Sequence, residues 1–77
     1  MPEEVPYREV HELLERHGWT LQRISKAGEE TRRVYVSAAA GAPTLVFPVR
    51  QKTVLRAYYE RIKSVIERFE ADSGDGE

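Results

Sequence analysis

The sequence predicts an α+β domain of order α-β-β-β-α, with both helices on one face of a three-stranded antiparallel sheet. Three observations carry this expectation: helical apolar spacing over residues 6–17, a stronger version of it from about residue 51 or 53 to 69, and three short β-branched and aromatic runs between them. Two helices with one apolar stripe each are packed most economically with both stripes on the same sheet face, leaving the other face open.

In the first helix Tyr7, Val10, Leu13, Leu14 and His17 recur at three- and four-residue steps, an arc of about 120°. Pro6 suits the first helical position and Gly18 the residue just past the end. Arg8, Glu9, Glu12, Glu15 and Arg16 make the solvated face. Residues 19–24, 33–37 and 44–49 have the composition of strands. Residues 25–31, polar and containing Gly28, read as a turn, and residues 38–43 as a hairpin loop because Gly41 and Pro43 stop the three alanines from extending a helix. In the second helix Val54, Leu55, Tyr58, Tyr59, Ile62, Val65, Ile66 and Phe69 fall within an arc of about 140°. Arg56 with Glu60, and Lys63 with Glu67, add i,i+4 pairs on its other face. The expected core is Val10, Leu13, Leu14, Leu55, Tyr59, Ile62 and Ile66, within one domain over residues 4–70. An acidic tail, 71–77, is expected to be disordered.

At 77 residues the chain holds one small core and no second domain. It has no cysteine, which excludes disulfides and Cys-based zinc sites. Neither a membrane-length apolar run nor a signal-peptide pattern is present, so a cytoplasmic protein is expected. The net charge of −1 conceals a basic centre: residues 16–63 carry ten Lys or Arg against three Glu, whereas both ends are acidic.

Few residues suit catalysis. His11 and His17 lie on one helix about 120° apart around its axis, so they do not readily share a metal or a substrate atom. His11 reads as a surface residue and His17 as a structural one near a helix C-terminus. Glu29 and Glu30 sit in a loop, and no phosphate-loop, dinucleotide or zinc-spacing motif occurs. No cofactor or metal is implied. The basic residues are more suggestive. Arg32 and Arg33 open the second strand and point to opposite sheet faces, Arg50 follows the third, and Lys52, Arg56 and Lys63 lie within about 40° on the second helix. Together these six are candidate phosphate contacts for RNA.

A family resemblance enters through Glu9-Val10 to Gly18-Trp19, Arg33-Val34-Tyr35, Val46-Phe47-Pro48, and Tyr59 with Ile62. Over about residues 7–66 the chain resembles HicA, the messenger-RNA interferase toxin of HicA/HicB toxin-antitoxin pairs, whose fold is like the double-stranded RNA-binding domain. The resemblance implies RNA and a HicB-like antitoxin as partners. It also implies a catalytic histidine at the position of Arg32 and commonly another at that of Arg50. Arginine cannot take a 2′-OH proton near neutrality but binds phosphate well, so an RNA-binding domain without ribonuclease activity is expected. Two alternatives accompany it: a protein-interaction or oligomerisation module using the free sheet face, and an interferase that cleaves with other residues.

Overall fold

The computed structural model describes residues 3–75, with side chains through residue 72. In chain order the elements are β1 (Glu4–Pro6), α1 (Tyr7–Arg16), β2 (Trp19–Ala27), β3 (Glu30–Ser37), β4 (Leu45–Arg50), β5 (Thr53–Leu55) and α2 (Arg56–Asp75). The strands form one antiparallel sheet in the order β1-β5-β4-β3-β2. Among the described residues no helix is long and apolar enough to cross a membrane. Of the tail expected over 71–77, residues 76 and 77 lie outside the described residues.

The five-stranded sheet corrects the α-β-β-β-α order and the three-stranded arrangement. It also overturns the resemblance to HicA and the double-stranded RNA-binding-domain-like fold, because one added strand precedes α1 and another lies where the last helix was expected to begin. The physical reason is a turn. Gln51 and Lys52 have φ of 52° and 65° and join Arg50 to Thr53, the left-handed pair that a two-residue type I′ hairpin needs. Neither is Asn or Gly, so the usual signal is missing and the following apolar residues read as helix. Thr53 Oγ1 donates to the Arg50 carbonyl at 2.8 Å, and the Tyr7 N–H donates to the Lys52 carbonyl at 2.8 Å, holding the turn in place. The second bond also serves the first N–H of α1, whose N-cap, Pro6, supplies no side-chain bond.

The β2–β3 hairpin is tighter than the seven-residue turn expected, with only Gly28 and Glu29 between the paired Ala27 and Glu30. Gly28, at φ 66°, takes the position that the turn reserves for glycine. The register of this hairpin shifts between Leu21 and Arg23, a β-bulge that puts Leu21 and Ile24 opposite Tyr35 and Arg33. Simple alternation along β2 therefore fails to sort its side chains.

Leu45, Phe47 and Val49 of β4 are buried beside Tyr35 of β3 and Trp19 of β2, and Val10 and Leu14 of α1 and Ile62 and Ile66 of α2 close over them. Phe69 meets Trp19 edge-on at 5.8 Å, and the Trp19 indole N–H donates to the Pro43 carbonyl at 3.1 Å. The His17 Nδ1–H donates to a Glu70 carboxylate oxygen at 2.5 Å, tying the end of α1 to α2. Four of the expected core residues, Val10, Leu14, Ile62 and Ile66, are buried, whereas Leu13 and Tyr59 are only half-buried. Leu55 is 50% exposed because it belongs to β5, where it alternates away from the buried Val54. The least dimension of the molecule is 15 Å, the depth of a sheet and a single layer of helix, so one sheet face has no helix over it.

Two substitutions distinguish this arrangement from one in which residues 53–55 begin the helix. Ile62→Ala is expected to cost about 2–4 kcal/mol, as large-to-small core changes do. Leu55→Ala is expected to cost under about 1 kcal/mol, the range for surface changes. Urea denaturation midpoints of the two variants check both values, and equal losses would place Leu55 in the core.

Candidate functional site

Two places bring chemistry-bearing side chains together. The first lies between α1 and the sheet. Tyr7, His11 and Glu15 follow at four-residue steps on α1, so they line one helix face. Across from them stand Tyr35 and Arg33 of β3. The Tyr35 hydroxyl lies 2.7 Å from His11 Nδ1 and is in hydrogen-bond contact with the Tyr7 hydroxyl, while His11 Nε2 is 3.4 Å from a Glu15 carboxylate oxygen. With the imidazole proton on Nε2, facing that carboxylate, Tyr7 O–H donates to Tyr35, Tyr35 O–H donates to His11 Nδ1, and every group has a partner. The Arg33 guanidinium lies 4.2 Å above the centre of the Tyr7 ring. Its Nε is shut off from solvent and has no hydrogen-bond partner among the described residues.

This cluster is built to hold α1 against β3 rather than to transform a substrate. Tyr35 is fully buried, both nitrogens of His11 are engaged, and the Tyr35 ring stacks on Phe47 at 5.5 Å. Burial pushes the Tyr35 hydroxyl well above the usual tyrosine range, Tyr7 adds to the rise, and the nearby Arg33 opposes it.

The second place is a groove along β4, between its helix-free face and the flank of α2. Because β5 is only three residues long, β4 runs on past it, and the chain turns from β5 into α2. Between β4 and α2 lies a recess of about 270 Å³, lined by Pro43, Thr44, Val46, Tyr58, Arg61 and Val65 among others. A neighbouring recess of about 230 Å³ shares Val46 and Tyr58 and extends to Pro48, Arg32 and Glu30. Together they make a trough with an aliphatic floor. Val46, at its centre, is 52% exposed, and its cross-strand neighbour Val34 is half-buried. Arg32 and Arg61 flank the trough, and neither makes an ion pair among the described residues. A larger hollow of about 660 Å³ is lined, among the described residues, by α2 alone, through Arg61, Ser64, Val65, Glu67 and Arg68, with no second wall from them to enclose a ligand.

The six cations named from sequence do not share one surface. Arg32 and Arg50 lie on the helix-free face, with Arg32 opposite Pro48 and Arg50 opposite Glu30. Lys52 is exposed in the β4–β5 turn. Arg33 points to the other side, onto Tyr7. Arg56 opens α2 and pairs with Glu60 at 3.5 Å, and Lys63 lies 5.4 Å from the centre of the Tyr59 ring. Sequence reasoning passed over Tyr7, Tyr35, Tyr58, Arg61 and Val46. The four-residue steps of Tyr7, His11 and Glu15 were a visible signal, but the trough depends on where β5 ends, which no local pattern announces.

Compared with protein-family models, curated proteins and solved structures, the chain matches none of them. The RNA-binding function rested on the double-stranded RNA-binding-domain-like architecture, and the five-stranded sheet removes that footing, together with the toxin-antitoxin assignment.

Tyr35→Phe tests the cluster, because it leaves the Tyr7 hydroxyl and His11 Nδ1 without their shared partner. At neutral pH it is expected to cost about 1–3 kcal/mol in urea denaturation. A hydroxyl whose ionisation is raised in the folded state contributes stability that is fully present below its ordinary value of 10.0 and is lost as pH rises above it. The parent should therefore lose stability above about pH 10 more steeply than Tyr35→Phe. Parallel slopes would show that Tyr35 is not the group protected from ionisation.

Proposed function

We propose that the chain is a protein-interaction domain that receives an apolar segment of another protein in the trough between β4 and α2. The observation that carries this reading is an aliphatic strip, exposed or half-buried, that runs from Val34, Val46 and Pro48 on the helix-free face of the sheet to Tyr58 and Val65 on the adjoining flank of α2. Leaving such side chains in water forgoes roughly 25 cal/mol for each Å² of apolar surface that a partner would cover. Phosphate backbones gain nothing from aliphatic floors, and surfaces for single strands present exposed aromatic faces for stacking, whereas of the two aromatic rings among the described residues lining this trough, Tyr58 is half-buried and Phe47 is fully buried. The His11 cluster supports no enzymatic reading, since its hydroxyl is buried and its imidazole is occupied at both nitrogens.

Photo-crosslinking tests the proposal. A photoreactive phenylalanine analogue at position 46, already half exposed, is expected to give an adduct with a discrete protein in the native host. The same analogue at position 9, on the solvated face of α1, is expected to give none. A nuclease-sensitive adduct at position 46, or equal labelling from both positions, would overturn the reading.

A further inference from the structure

The walls of the trough constrain both the conformation and the charge of any chain that enters it. The backbone of β4 sets the conformation. In an antiparallel ladder, residues directly opposite each other alternate between pairs that exchange both hydrogen bonds and pairs that exchange none. Pro48 has no N–H, so its pair with Arg32 belongs to the second kind, as do Val46 with Val34 and Arg50 with Glu30, two residues to either side. The N–H and C=O of Val46 and Arg50, and the C=O of Pro48, therefore point away from β3. Arg50 uses this side to pair with Thr53. Two residues further along β4, Pro48 comes level with Leu55, the last residue of β5, and two beyond that, Val46 comes level with a chain that has already turned into α2. The polar groups of Val46 thus face the lane that β5 vacates, and that lane is where the 270 Å³ recess lies.

A sheet edge beside a helix, with a recess between them, suits an extended chain. Four extended residues at ~3.3 Å each would run along the lane from Pro43 towards Phe47. Alternate side chains of such a strand would lie beside Val46 on the helix-free face, and the others would turn towards Leu45, Ile62 and Val65. Charge selects among extended chains. Arg61 on α2 and Arg32 on β3 stand on either side; among the described residues neither is in an ion pair, and Glu30 is the one carboxylate lining the trough. Over β2, on the opposite edge of the sheet, strand addition is disfavoured by the bulge at Leu21/Arg23 and by the charges of Arg23 and Lys26.

Resting on the assignment of the trough to a protein partner, we propose that it takes an extended segment of that partner, aliphatic at alternate positions and bearing carboxylates, which joins the sheet as an added strand on β4 at Val46. Backbone pairing supplies register, the valines and Tyr58 supply apolar contact, and Arg61 and Arg32 select acidic sequences over basic ones.

The test uses the full chain labelled with ¹⁵N and four synthetic probes. These are an acetylated, amidated pentapeptide of alternating Val and Glu, its Val and Lys counterpart, and the Val and Glu peptide N-methylated at alternate amides in each of the two registers. The acidic peptide is expected to shift the backbone signals of Val46, Tyr58 and Arg61, with the Val46 N–H moving downfield. The Lys peptide, and one of the two methylated registers, are expected to bind at least about tenfold more weakly, and Arg61→Glu to reverse the charge preference. Equal binding by both methylated peptides at the same residues would overturn strand addition while leaving the interaction reading intact. Absence of shifts in the trough with the acidic peptide at millimolar concentration would overturn the proposal. So would shifts there that depend on protein concentration alone, which would put a second copy of the chain in the lane. The crosslink at position 46 reports on the interaction reading separately in either case.

Discussion

The pairing of two three-residue strands, β1 and β5, is the constraint on which the rest of this domain depends. Each is too short to persist alone, and each leads directly into a helix. Glu4, Val5 and Pro6 lie opposite Leu55, Val54 and Thr53, and backbone bonds close both ends: Tyr7 N–H to the Lys52 carbonyl and Arg56 N–H to the Glu3 carbonyl. Those two donors are the first N–H groups of α1 and α2, orphans of helix geometry that usually need a capping side chain. Here the sheet edge supplies the acceptors. One local device therefore launches both helices, fixes where they start and sets how far β4 extends past its neighbour.

The device has a conformational cost at Gln51 and Lys52, which hold the left-handed region without being glycine. That cost is tolerated because three contacts depend on it: the Arg50–Thr53 pair, the Thr53 hydroxyl on the Arg50 carbonyl and the Lys52 carbonyl under α1. It also explains how much of the fold could be read from sequence. The amphipathic stripe of α1, the three long strands and most of α2 were legible because burial imposes a period on them: Val10 and Leu14, then Leu45, Phe47 and Val49, then Ile62 and Ile66. The β5 segment was not. Val54 and Leu55 fit the helical arc that follows as well as they fit a strand, and only the turn before them, unmarked by sequence, decides the matter. The false resemblance came from the same place, since three strands flanked by two helices is what remains once β1 and β5 are overlooked.

The two arginines that open β3 show how neighbouring residues of one type acquire different work. Arg32 points to the helix-free side and lines the trough. Arg33, one residue on, faces the helices and lies over Tyr7, beside a hydroxyl chain that runs through Tyr35 to His11. Strand alternation allowed the division of faces to be read from sequence. It did not reveal that the inward arginine would meet aromatic rings, because Tyr7 and Tyr35 are far apart in sequence. The polar cluster and the trough consequently lie on opposite sides of the same strand, one fastening a helix and the other left open.

The pairing of Glu4 with Leu55 spans about fifty residues, most of the chain, and closing so large a loop costs entropy before any contact returns it. The β2–β3 hairpin, whose turn is two residues, has no such wait. Assembly is thus ordered by sequence separation: the central hairpins can form from local contacts, but the edge that launches both helices closes only once the chain has been made through Leu55. For an emerging polypeptide this leaves no finished N-terminal portion to protect. Val5, Tyr7 and Val10 have no complete core to enter until most of the molecule exists, and the domain assembles as a single late event rather than in instalments.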